Sequence, residues 1–120
     1  MPAYVDGFLL AVPKRRIALY RQISKRAGKI WREHGALEYR ECAGDDLQTK
    51  FGRPFAKAAG LKSGETAVFS WIVYRSRADR DRVNRKVMSD PRMATMMKDP
   101  MPFDVKRMSM GGFTVIVDLA

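Results

Sequence analysis

The chain has 120 residues, 46% of them hydrophobic, which suits one domain over residues 1–120 with its own core and no need of a disulfide or metal staple. Cys42 is the only cysteine and His34 the only histidine, so an intrachain disulfide and a zinc site of several His or Cys ligands within one chain are both excluded. A net charge of +10 points to acidic partners or to a solvated basic surface; the start lacks a signal-peptide pattern and no run approaches the roughly 20 apolar residues of a membrane span, so a soluble, cytoplasmic protein is expected.

Taken in order, Tyr4 to Val12 form an apolar strand, YVDGFLLAV, interrupted by one acid, Asp6. An acid in a half-buried strand needs a partner or a solvated cleft, so Asp6 is either structurally paired or part of a site. A helix is expected from about Pro13 to His34. Ile17, Tyr20, Ile23, Ala27, Ile30, Trp31 and His34 recur on it at three- and four-residue steps and mark one buried stripe. Pro13 suits its first turn and Gly35 the position just past its end. A returning strand follows from Ala36 to Cys42. Along it Glu38, Arg40 and Cys42 alternate with Leu37, Tyr39 and Glu41.

Residues 43 to 65 read as a long connection, with turns at Gly44-Asp45-Asp46 and Lys62-Ser63-Gly64 and with Phe51 and Phe55 as candidates to pack it onto the body. Thr66 to Arg75 form a third strand. Val68, Ser70, Ile72 and Tyr74 point one way, Phe69, Trp71 and Val73 the other, so both faces are largely apolar. A second helix opens at Ser76, where Ser76 and Asp79 resemble a capping box, carries Val83 and Val87 as a narrow apolar stripe, and ends before Pro91. A methionine-rich stretch then leads to a fourth strand, Gly112 to Leu119. Without paired-Met spacing those thioethers suit a gap-filling core or a pocket wall rather than a soft metal. Gly111-Gly112 enters a strand, so it reads as a bulge or close backbone approach and not as a phosphate cradle.

The order βαβ followed by βαβ is that of a ferredoxin-like α+β fold with an antiparallel sheet. Its two helices cover only one sheet face, and the strands are apolar on both. The simplest cover for the second face is another copy, so a homodimer with sheets meeting face to face, a dimeric α+β barrel, is expected. The basic residues concentrate on the helices, from Lys14 to Arg32 and from Arg77 to Lys86, and would form one positive surface. Contact with nucleic acid through it would be electrostatic and weakly sequence-selective. AVFSWIVY lacks the glycines and leading base with which an RNA-recognition motif stacks bases.

No Walker-A motif, G-x-G-x-x-G or nucleophile elbow is present. The remaining candidate is the segment KIWREHGALEYREC. His34 lies at a helix C-terminus, where the dipole favours its protonated form, Trp31 lies one turn earlier, and Glu38 follows on the strand. An imidazole and a carboxylate against an apolar wall suffice for proton transfer on a small organic molecule. The alternative is a histidine that simply ends a helix.

YVDGFLLAVP, KIWREHGALEYREC, ETAVFSWIVYRSRADRDRVNRKVMSDPRM and MPFDVKRMSMGGFTVIVDL together resemble the domain of unknown function 1428 family, small bacterial proteins, over nearly the whole chain. The resemblance implies membership of the dimeric α+β barrel superfamily and brings no established activity or catalytic residues. That superfamily includes cofactor-independent monooxygenases, isomerases and haem-degrading enzymes with pockets between helices and sheet. It therefore implies a small-molecule ligand without a bound cofactor, in a pocket with His34, Glu38 and Asp6 as candidate catalytic groups and Trp31 and Trp71 as walls. A dimeric accessory protein without chemistry is the other reading.

Overall fold

The computed structural model describes residues 2–119, so the first and last residues of the expected domain lie outside it. Strand β1 spans Tyr4–Pro13, helix α1 Ile17–Glu33, β2 Glu38–Ala43, a short α2 Phe55–Ala58, β3 Glu65–Tyr74, α3 Arg77–Met88, α4 Pro91–Met96 and β4 Ser109–Thr114. The sheet is four-stranded, in the order β2-β3-β1-β4, and every neighbouring pair is antiparallel. This is the expected ferredoxin-like order.

The β1–β3 register, Tyr4 opposite Tyr74 and Leu10 opposite Val68, puts the even-numbered residues of both strands on one face. The helices cover that face. Ile30, Ile72, Tyr74, Val83, Val87 and Met93 form one buried cluster there, and Leu10, Val12, Tyr20 and Val68 a second. Burying side chains of this size stabilises by about 1.5–3 kcal/mol each before the entropy of ordering them is counted. Met93 and Met96 fill the core as expected of unbranched thioethers, whereas Met88, Met97, Met101 and Met110 are exposed.

Local signals place the helix ends well. At the end of α1, Gly35 adopts a positive φ of 119°, with its N–H donating to the Arg32 carbonyl and that of Ala36 to the Trp31 carbonyl, the paired bonds of a Schellman ending. The Ser76 hydroxyl accepts from the Asp79 N–H at 3.1 Å and caps α3. Pro91 falls beyond the end of α3 but also opens α4, with Asp90 as cap.

Several expectations are corrected. Pro13 ends β1 instead of opening α1, because the Lys14 N–H continues the ladder to the Gly64 carbonyl at 2.8 Å and a single 3-10 turn, Lys14–Arg16, intervenes. Helix α1 stops at Glu33, with His34 as its cap, and β2 begins at Glu38 rather than Ala36. The buried stripe of α1 contains Ser24 and Gly28 besides Tyr20 and Ile30, and Ile23 is only half-buried. The Gly28 backbone lies against the Tyr39 ring, which a Cβ would approach to 2.6 Å. Strand β4 lies earlier than expected, because its partner β1 begins at Tyr4, paired with Thr114; after Val115 donates to the Ala3 carbonyl no strand remains alongside, and Ile116, Val117 and Leu119 are exposed. Gly112 does mark a close approach, since a Cβ there would run into the Tyr4 side chain. In the long connection Phe55 packs on Phe69, with ring centroids 5.8 Å apart, but Phe51 stands 89% exposed.

Candidate functional site

The five residues singled out by sequence do not converge on one site. His34 Nε2 lies 2.8 Å from Asp90 Oδ2, tying the end of α1 to the start of α4. Asp90 also accepts from Arg92, and Arg92 reaches Glu33 at 2.6 Å. The Arg92 guanidinium first, and His34 second, hold the Asp90 carboxyl well below the usual carboxylate range. Asp6 is buried on the helix-covered face, where Arg80 Nη1 donates to Oδ1 at 2.7 Å and the Arg80 guanidinium stands over the Tyr4 ring. Glu38 lies on the opposite face, because Tyr39 is the residue that shares the side of Ile72 and Asp6. There Glu38 accepts from Trp71 Nε1 at 2.9 Å and from Arg40 Nε at 2.8 Å, bonds that lower its pKa. Trp31 is on the helix side, its Nε1 donating to Asn84 Oδ1 at 3.0 Å, and Asn84 also accepts from the Tyr74 hydroxyl. Trp71 and Glu38 are therefore bonded to each other, Trp31 and Asp6 both border the Tyr74 side chain, and His34 stands apart from both pairs.

A different constellation lies between α1 and β2. Tyr20 on α1 donates its hydroxyl to Glu41 Oε1 at 2.7 Å, and Tyr39 on β2 donates to Glu41 Oε2, also at 2.7 Å. Burial first, and then the negative charge of Glu41, push both phenols above their ordinary range, so they remain donors throughout the physiological span. Trp31 backs the Tyr39 ring at a centroid distance of 6.2 Å. These groups border a groove of about 610 Å³ whose apolar surface comes from Ile17, the two tyrosine rings, Ala43 and Val68, and whose rim carries Arg21, Lys25, Lys29 and Arg32 together with Glu33, an acid already held by Arg92. A carboxylate held by two phenols can accept a further hydrogen bond, or a proton, from a bound molecule.

The signal for this trio was present in the sequence. Strand alternation places Tyr39 and Glu41 on one face, and Tyr20 belongs to the helical stripe. What the pattern lacked was which strand edge the helix would lie beside. The expected continuous basic surface is also interrupted: Arg80 pairs with Asp6 and Asp81, and Arg82 with Asp79.

A second cleft of about 630 Å³ lies on the uncovered face, bordered by Val5, Leu9, Phe69, Trp71 and Phe113. The Phe69 and Trp71 rings lie side by side there, with centroids 5.6 Å apart and planes tilted by 54°. Among the described residues no helix is long and apolar enough to cross a membrane.

The family described as protein of unknown function (DUF1428) matches over residues 3–105. The uncharacterized protein YbaA of Escherichia coli is 44% identical over 115 residues, which cover 96% of this chain and 97% of that protein. Among solved structures, a dimeric ferredoxin-like protein from an uncultured marine organism is similar at a TM-score of 0.59 and 10% identity, covering 99% of this chain and 100% of that one. A variant of SnoaB, a cofactor-independent oxygenase from Streptomyces nogalater, is similar at a TM-score of 0.61 and 11% identity, over 99% of this chain and 98% of that one. At such identities the solved structures support the fold alone.

Proposed function

The chain belongs to the DUF1428 family, and we propose that it is a cytoplasmic, single-domain homodimer that binds a small organic molecule in the groove between α1 and β2, with Glu41 accepting a hydrogen bond or proton from the ligand. The observation that carries this reading is the grip of Tyr20 and Tyr39 on the two Glu41 oxygens beside an apolar groove of about 610 Å³. Convergent polar groups in an otherwise apolar concavity are the usual form of a small-molecule site. The shared architecture with a protein described as a cofactor-independent oxygenase is compatible with proton transfer performed by side chains alone.

In this reading the residues picked out by sequence take supporting roles. Trp31 is the wall behind Tyr39, His34 with Asp90 and Asp6 with Arg80 anchor helices to one another and to the sheet, and Trp71 with Glu38 belongs to the face that meets the second copy. The dimer is supported by that face, where Phe69 and Phe113 are 46% and 61% exposed.

The test is an amide chemical-shift titration of isotope-labelled protein against a library of small organic fragments. Hits are expected to move the amides of Ser24, Gly28, Tyr39 and Glu41, and Glu41→Gln should weaken them about tenfold, the worth of one hydrogen bond to a charged group. Hits that cluster only around Val5, Phe69 and Phe113 would transfer the site to the uncovered face.

A further inference from the structure

The rim and the floor of the α1–β2 groove differ in what they ask of a ligand. Arg21, Lys25 and Lys29 stand at successive four-residue steps on α1, so they form one row about 12 Å long along the groove. All three are exposed, and none belongs to an ion pair recorded among the described residues. Like charges at that spacing repel one another, and an anion between them removes the repulsion. The arginines of α3 and α4 that face acids are, by contrast, already neutralised: Arg80, Arg82 and Arg92 each hold a carboxylate.

Glu41 makes the opposite demand at the floor. Each of its oxygens accepts one phenolic bond, and each retains a lone pair. A purely anionic group placed there would be repelled by the carboxylate, and a purely apolar one would leave its remaining lone pairs without a donor, which is costly away from water. A neutral O–H satisfies it. Between rim and floor the surface is apolar, from Ile17, Ala43, Val68 and the faces of Tyr20 and Tyr39.

Resting on the reading of this groove as the binding site, we propose that its ligand class is the hydroxylated organic acids: an anionic group held at the rim by Lys25 and Lys29, an apolar body across the groove, and a hydroxyl donating to Glu41. Recognition by the rim is electrostatic and weakens with salt, while recognition at the half-buried floor is directional and does not.

Three probes of similar size separate the parts: para-coumarate carries both groups, cinnamate only the carboxylate, and para-ethylphenol only the hydroxyl. Each is titrated into the full chain at neutral pH with the groove amides as the readout. Para-coumarate should bind about tenfold more tightly than either of the others, one charge-assisted hydrogen bond being worth roughly that factor. The double variant Lys25→Ala with Lys29→Ala should remove its advantage over para-ethylphenol, leaving para-ethylphenol unchanged, and Glu41→Gln should remove its advantage over cinnamate. Both lysines are exposed, so the double variant is expected to fold, which its amide spectrum verifies. Groove amides that shift with all three probes at equal affinity would overturn the ligand class while leaving the groove a binding site. Amides that shift with none of them would overturn both.

Discussion

The two faces of the sheet are built from similar residues and meet different fates. On one, Tyr4, Leu10, Val12, Val68, Ile72 and Tyr74 are buried beneath α1 and α3; on the other, Val5, Leu9, Trp71 and Val73 are only partly covered, and Phe69 and Phe113 are exposed. Apolar content therefore does not distinguish the covered face from the uncovered one. The polar residues do. The covered face holds Asp6 against Arg80 and Glu41 against two phenols, each acid with a partner supplied by a helix or strand of the same chain. Burial enforces that pairing, since an unpartnered charge there costs several kcal/mol. On the uncovered face the acids with partners lie at the margins, Glu38 with Trp71 and Arg40 at the β2 edge and Glu65 with Arg107 at the start of β3.

The contrast is sharpest at Tyr74, which is fully buried. Tyr74→Ala should cost about 3–5 kcal/mol in urea unfolding, from the lost ring and the cavity behind it. A cost near zero would mean that the covered face is no core. The next effect is smaller in stability and larger in assembly. Light scattering of the native chain should give twice the 13.7 kDa chain mass. Phe69→Ser combined with Phe113→Ser should reduce it to the chain mass, at a cost to the isolated fold of no more than about 1 kcal/mol, as for exposed positions. A native protein that scatters as a monomer breaks the comparison, because the uncovered face would then be stable in water.

The smallest effect concerns the start of β3, at the margin of the uncovered face. Arg107 donates to both oxygens of Glu65, at 2.7 and 2.8 Å, and holds that carboxyl at about 2, below its ordinary 4.5. A depressed value means that the ionised form favours the folded chain above pH 4.5, and that this contribution declines as the pH falls towards about 2. The melting temperature should accordingly drop across that window, and Glu65→Gln should flatten the drop. An equally steep acid transition in the variant would assign it to other carboxylates, of which Asp90 is the foremost.

How much of this was legible in the chain depends on the range of the interaction involved. The strand and helix order, the Gly35 ending, the Ser76 cap and the two apolar faces of β3 all follow from periods and caps within about one to three turns, which neighbouring residues carry by themselves. The folded arrangement alone decided the long-range pairings of the acids. His34 finds Asp90 across 56 residues, Trp71 finds Glu38 across 33, and Tyr20 finds Glu41 across 21. Strand β4 stops at Thr114, although the apolar run continues to Leu119, because β1 offers no further backbone to pair with. Sheet order, register and the seat of each helix are set by the joint burial of residues far apart in sequence, and no local pattern contains them; a pairing of side chains inherits that dependence, so the groove and its Tyr20, Tyr39 and Glu41 trio emerge only when α1 lies beside β2.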